Sequence, residues 1–158
     1  MSKRPIPVVG AIITAILVIV FANPPFYDWI HNPKNVNPNG AIGSLLNWLT
    51  WPHWLFTKGS ASMATFVARE LRAILIIAIV FGILAILAKG IGSAGVGFVV
   101  GWVAVILSAA LSAFITYFIA GGNGSTFSGG LDALSQGGTY GLIVGWIVGI
   151  GTSVAKRG

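Results

Sequence analysis

The chain has 158 residues, of which 56% are hydrophobic and 8% are charged, and its mean hydropathy is +0.91. So few charged side chains cannot cover a water-soluble globule, which excludes an ordinary soluble domain and indicates a lipid environment. The net charge of +6 comes from basic residues that lie singly or in pairs beside apolar runs, which disfavours a nucleic-acid-binding surface.

The first apolar stretch covers residues 7–22 and predicts the first membrane span. Pro5 and Pro7 lie at its start, where a helix tolerates a missing amide hydrogen. Basic residues before a compact apolar run, with the small Ala22 near its end, are also typical of a secretory signal. We interpret the stretch as a signal anchor that remains in the membrane as a short first helix.

A long outer loop is predicted over residues 23–60, where prolines and asparagines interrupt any regular element. Within it, residues 41–56 carry apolar side chains at helical spacing but are too few to cross a bilayer. Tryptophan favours the headgroup boundary. We therefore expect a Trp-rich interfacial or re-entrant helix here, with Trp48, Trp51 and Trp54 as interfacial anchors. The alternative is a loop that packs as a lid on the bundle.

Three further spans are predicted over residues 66–88, 94–120 and 139–154. Ser60 or Ser62 is the expected N-cap of the first of them. Residues 121–138 are rich in glycine and serine and predict a flexible second outer loop. The expected fold class is therefore all-α, a polytopic transmembrane helical bundle of about four spans that forms a single domain over residues 1–158.

The distribution of charge predicts the orientation of this bundle. The side that holds both termini carries five basic residues and no acidic one: Lys3, Arg4, Lys89, Lys156 and Arg157. The opposite side carries four basic residues together with all three acids. Because cytoplasmic loops are enriched in lysine and arginine, we expect an integral protein of a bacterial cytoplasmic membrane with both termini in the cytoplasm.

Small residues recur in steps of four along the fourth span, which places them on one helix face. The third span offers a similar face. Membrane helices associate by close backbone contact, which small residues permit. The predicted helix-packing interface consists of Gly97, Gly101, Gly137, Gly141, Gly145, Gly149 and Ser153.

A short internal similarity links the same two spans. Gly97, Val100, Gly101 and Trp102 recur in the fourth span as Gly141, Val144, Gly145 and Trp146. Since the two spans run in opposite directions, the repeat is inverted, an arrangement that transporters use to build sites at mid-membrane. Convergence on the same packing chemistry is the simpler interpretation.

Charged residues gather at the outer end of the second span, where Arg69, Glu70 and Arg72 lie. The simpler interpretation is a charged helix end whose side chains reach the membrane interface. The sharper hypothesis is a possible ion-pair clasp, in which Asp132 or Asp28 pairs with Arg69 or Arg72 and fixes an outer loop to the bundle.

The sequence offers no recognisable catalytic or cofactor site. Cysteine is absent, which excludes disulfides and thiolate chemistry. His31 and His53 lie outside the predicted spans and lack metal-ligand spacing, so we expect neither haem nor a metal centre. An enzyme that acts on lipid through Asp28, His31 and His53 is a weaker alternative. We expect no catalytic residue, no metal and no cofactor.

These features predict a non-catalytic accessory or assembly subunit of a larger multi-subunit membrane complex, such as a respiratory or other energy-converting complex. Its expected partners are membrane lipid and other integral membrane subunits, not nucleic acid. The alternative is a small homo-oligomeric channel or transporter, which the inverted repeat and the glycine stripes would suit.

Overall fold

A computed structural model describes residues 5–37, 40–57, 59–121 and 124–157. Every regular element in these ranges is a helix, which confirms the all-α class. In chain order they are α1 (Ile6–Phe21), α2 (Pro24–His31), α3 (Ala41–Leu49), α4 (Met63–Leu87), α5 (Ala94–Gly121) and α6 (Phe127–Arg157), with a 3₁₀ turn at Ala88–Gly90 after α4. Lys3 and Arg4, two of the five basic residues on which the predicted orientation is based, lie outside the described residues.

Three helical segments are long and apolar enough to cross a membrane: Met63–Gly90, Ala94–Gly121 and Phe127–Arg157. They make the chain an integral membrane protein. The helices α1 and α2 pass the same test only as a pair, and they are bent by 54° relative to each other. The described residues therefore contain three candidate spans, or four if the bent pair crosses as one, so the predicted count of four depends on α1.

One side chain caps both helices at the bend between α1 and α2. The Asn23 Nδ2 amide donates to the carbonyl oxygens of Ile19 and Val20, at 3.0 and 2.7 Å, and so caps the end of α1. Its Oδ1 accepts from the N–H of Phe26 at 2.8 Å and so caps the start of α2. Proline occupies the first turn of α2, where its missing N–H costs no hydrogen bond.

The predicted second outer loop, residues 121–138, differs most from the structure. The helix α6 begins within it, where Thr126 Oγ1 accepts from the N–H of Gly129 at 3.2 Å. Gly130 is buried, and an added Cβ there would lie 2.8 Å from a ring carbon of Phe118 on α5. These glycines allow close helix contact, whereas composition alone had predicted a flexible linker.

The bundle is centred on α5 and α6, which pack together along their lengths. The helix α4 packs on α5, and α1 fits against α4 and α6. The main core cluster is Leu17, Val80, Leu84, Ala104, Val105, Ala109, Tyr140, Val144 and Val148. Large apolar side chains such as Ile74 and Ile86 point outward from α4, which provides a surface for lipid contact.

The helices α2 and α3 and residues 50–57 lie over the end of the bundle at which α1 ends and α4 begins, here named the capped end. The N–H of Trp54 donates to the Ala22 carbonyl at 3.2 Å, and its indole Nε1 donates to the Val18 carbonyl at 3.3 Å. The N–H of Leu55 donates to Glu70 Oε1 at 2.7 Å. Three hydrogen bonds thus tie this layer to α1 and α4.

Candidate functional site

The predicted small residues of α6 face α5 of the same chain. An added Cβ at Gly149 would lie 2.7 Å from the Phe98 carbonyl oxygen, and one at Gly137 would overlap the Ala109 carbonyl. At Gly145 an added Cβ would lie 2.8 Å from Trp102 Cδ1. Real Cβ atoms essentially never come this close to other atoms, and at Gly137 and Gly149 the atoms in the way belong to the backbone of α5, so only glycine fits there without moving the helices apart. We call this contact the α5–α6 seam.

Hydrogen bonds between the helices accompany the close approach. The Thr152 hydroxyl donates to the Gly97 carbonyl oxygen at 2.6 Å, and Trp102 Nε1 donates to the Leu142 carbonyl oxygen at 3.1 Å. Such bonds strengthen helix association where water is scarce. Neither was foreseen from the sequence.

The predicted line of small residues on α6 ends at Ser153, whereas the α5–α6 seam ends at Thr152. Thr152 is buried against Gly101, while Ser153 is only partly buried and approaches Gly97 through its backbone. A step of four residues overshoots one helical turn of 3.6 residues, so a face followed over several turns must shorten one step to three. The seam therefore passes from Gly149 to Thr152.

The three predicted anchors, Trp48, Trp51 and Trp54, all lie at the capped end. The helix α3 contains only the first of them, because it stops at Leu49. All three are partly buried against the protein, and the Trp51 ring stacks on Tyr140 of α6 with centroids 5.3 Å apart. Their contact with the membrane interface stays a prediction.

The structure gives Arg72 different partners from those of the predicted clasp. Its Nε donates to Thr116 Oγ1 on α5 at 3.1 Å, and its guanidinium carbon lies 5.0 Å from the Trp51 ring centroid. Asp28 and Asp132 are exposed, and in the described part of the chain neither forms an ion pair with Arg72 or Arg69. A hydroxyl and an aromatic face hold this arginine.

A cavity of about 440 Å³ opens beside Arg72 at the capped end. Its lining comes from α2, α3, the segment that follows α3, α4 and α6: Tyr27, Asn47, Trp48, Thr50, Trp51, His53, Arg69, Arg72 and Gln136. We call it the basic cavity, because its lining contains two arginines and no carboxylate. It brings together the predicted Arg69, Arg72, Trp48 and Trp51.

No described carboxylate forms an ion pair with either arginine, although Asp28 is near enough to act electrostatically on His53. Among the described residues, Nε is the one donor of Arg72 that finds an acceptor, although a guanidinium carries five N–H groups. The nearest acid in sequence, Glu70, accepts from the backbone of Leu55 and does not line the cavity. A partly buried cation without a counter-charge is unfavourable, so this lining favours an anion.

Two histidine rings flank Tyr27 at the edge of the cavity. The centroids of His31 and His53 lie 4.0 and 4.1 Å from that of Tyr27. The pKa of His53 is lowered from its ordinary value of 6.5, chiefly because burial disfavours its charged form and then because of the positive charge of Arg69. Asp28 opposes this shift, and His31 adds to it.

The Nδ1 atom of His53 is shielded from solvent and finds no hydrogen-bond partner among the described residues. His31 is exposed, and its Nδ1–H donates to the Tyr27 carbonyl at 2.8 Å. Across the described ranges, no three residues among histidine, cysteine, aspartate and glutamate converge as a metal-binding group.

Sequence reasoning missed Thr116, Asn47 and Gln136 as parts of this region. Nothing in the local sequence pairs these residues with the arginines, and only the fold brings them near. The mixture of Trp and Arg around the second span was the available signal.

Comparison with known proteins finds no matching family model, no significantly similar curated protein and no significantly similar solved structure.

Proposed function

We propose that this chain is a non-catalytic accessory or assembly subunit of a larger membrane complex. The observation that supports the proposal is an apolar surface at the capped end, outside the three long spans. Ile42 is 72% exposed, Leu45 is 54% exposed and Trp29 is 48% exposed. Between Trp29 and α3 lies a second cavity, of about 560 Å³, whose lining includes Ile42 and Leu46.

Leaving such side chains in water is unfavourable by about 25 cal/mol for each Å² of apolar surface. Surfaces of this kind outside the lipid-covered region are typical of protein contact sites. A neighbouring subunit that covers α3 would remove this cost. The same surface could lie in the headgroup layer, as the predicted interfacial helix would, and the experiment below separates the two.

Because α5 already covers the glycine face of α6, a partner subunit would bind elsewhere on the chain. Gly141, Gly145 and Gly149 already contact α5, so they offer no free groove to another subunit. The inverted repeat is likewise accounted for by packing, because Trp102 of its first copy contacts Gly145 of its second. This favours an accessory subunit over the small channel or transporter, and it directs attention to α3.

The test is purification from native membranes in a mild detergent through a C-terminal tag, with protein identification and sizing. We expect other integral membrane proteins in fixed ratio to the chain. The double variant Ile42→Asn and Leu45→Asn should lose them, while Met63→Gln, which changes another exposed apolar residue at the capped end, should retain them.

A chain that elutes alone would contradict the proposal, and a homo-oligomer would favour the channel or transporter instead. Partners retained by the double variant would place α3 in the headgroup layer and not at a subunit contact. Far-ultraviolet circular dichroism of both variants shows that the helices persist.

A further inference from the structure

We propose that the basic cavity binds a phosphate-bearing anion, either the phosphodiester headgroup of an anionic lipid or free phosphate. The proposal is independent of the accessory role. It rests on two arginines that line one cavity, on the lack of any carboxylate in that lining, and on the way Arg72 is held.

The guanidinium of Arg72 is fixed before any ligand arrives. Its Nε donates to Thr116 Oγ1, and its guanidinium carbon lies over the Trp51 ring, 5.0 Å from the centroid. The two terminal nitrogens remain, and no described residue accepts from them. A planar fork held in this way matches the paired oxygens of phosphate, and less rotational freedom is lost when it binds.

Arg69 adds a second cation on the same side of the helix. Positions three apart on a helix are neighbours, so Arg69 and Arg72 both face the cavity from α4. Two oxygens of one phosphate can pair with the guanidinium fork of Arg72 while a third accepts from Arg69, a bidentate geometry that a single-atom halide ion cannot offer. Asn47 and Gln136 also line the cavity, and their side-chain amides make no hydrogen bond with described residues.

The position of the cavity suits a headgroup. Trp51 lies between the cavity and Tyr140, a residue within the third candidate span. Trp51 itself lies in the segment that follows α3, at the capped end, and tryptophan is typical of the membrane–water boundary, where lipid phosphates lie. The volume of about 440 Å³ is within the range of small-ligand sites.

The experiment uses the full chain, purified and delipidated in detergent. Native mass spectrometry measures the retention of added phosphatidylglycerol against phosphatidylcholine. Thermal unfolding is measured separately in inorganic phosphate and in chloride at equal ionic strength. The variants are Arg72→Gln and Arg69→Gln, and the control is Lys34→Gln, which removes an exposed positive charge that does not line the cavity.

We expect each arginine variant to weaken binding about tenfold or more, as loss of a charge-assisted hydrogen bond would. Lys34→Gln should bind as the unchanged chain does. Arg72→Lys keeps the charge but not the planar guanidinium fork, so its affinity for the anion should lie between that of the unchanged chain and that of Arg72→Gln.

Selective retention of phosphatidylglycerol without a phosphate effect would identify the lipid headgroup as the ligand. A shift in unfolding temperature with phosphate alone would identify free phosphate. No saturable binding of either probe, or equal weakening by Lys34→Gln, would overturn the proposal. If Arg72→Gln fails to fold, Arg69→Gln decides by itself.

Discussion

Thr152 of α6 donates its hydroxyl hydrogen to the carbonyl oxygen of Gly97 in α5, 2.6 Å away. The contact occurs where an added Cβ at Gly97 would lie 3.2 Å from the Thr152 carbonyl oxygen. Close backbone approach and a hydrogen bond between helices therefore coincide at one point. Two features therefore hold α5 against α6 here: Gly97 has no side chain to separate the backbones, and the Thr152 hydroxyl bonds across the contact.

The first prediction concerns two neighbouring glycines of α6. An added Cβ at Gly141 would lie 2.8 Å from the Ile106 nitrogen and 2.9 Å from the Val105 oxygen, whereas at Gly138 it would meet nothing within 4 Å. Gly141→Ala should thus destabilise the protein by about 1–3 kcal/mol, because two backbones must separate. Gly138→Ala should preserve stability or raise it slightly, because alanine favours a helix more than glycine does. Unfolding in detergent measures both, and equal stability would contradict the seam.

The second prediction concerns the support of Arg72. Thr116→Val preserves side-chain shape but leaves Arg72 Nε without its acceptor, so it should cost about 1–3 kcal/mol of stability. The control is Thr139→Val, since the Thr139 hydroxyl donates only to the Ser135 carbonyl of its own helix. The free energy of unfolding is the measurement. A loss no larger than that of the control would show that Thr116 does not hold Arg72.

The third prediction concerns pH. His53 has a lowered pKa in the folded protein, so below its ordinary value of 6.5 the unfolded chain takes up a proton that the folded chain does not. Stability should therefore fall as the pH decreases from 6.5 towards the lower pKa of the folded state. His53→Gln should remove this part of the pH dependence.

Thermal unfolding at a series of pH values, compared between the two proteins, tests this expectation. Arg69, Asp28 and His31 also face His53 and are present in both proteins. Identical pH profiles would show that His53 does not titrate as described.

The fourth prediction is the orientation. With the termini in the cytoplasm, the capped end lies outside the cell and the turn between α4 and α5 lies inside. Because the chain lacks cysteine, Ser60→Cys and Gly92→Cys can each be labelled alone. Both positions are exposed. An impermeant thiol reagent applied to intact cells should label Ser60→Cys only, and labelling of Gly92→Cys alone would reverse the orientation.

Local patterns in the sequence predicted much of this fold. The start of α4 follows from Ser62, whose hydroxyl accepts from the N–H of Thr65 at 3.0 Å, and the long apolar runs predicted α4 and α5. The start of α6 was mispredicted because glycine and serine are common both in flexible loops and in closely packed membrane helices. Composition does not distinguish the two; the aromatic neighbours on α5 do.

The basic cavity shows a different limit of sequence reasoning. Arg72 and Thr116 are far apart in the chain, and the sequence marks them only as a charged residue and a helical threonine. Opposite charge suggested that Asp132 or Asp28 pairs with Arg69 or Arg72, but both acids are exposed and form no ion pair with these arginines among the described residues. Pairings that depend on how helices are rotated about their axes cannot be read from spacing within one helix.

The two caps made by Asn23 couple the bundle to the cavity mechanically. One amide group binds the last turn of α1 through its nitrogen and the first turn of α2 through its oxygen. Because α2 carries Tyr27 into the lining of the cavity, the two caps set the position of that lining residue relative to the last turn of α1.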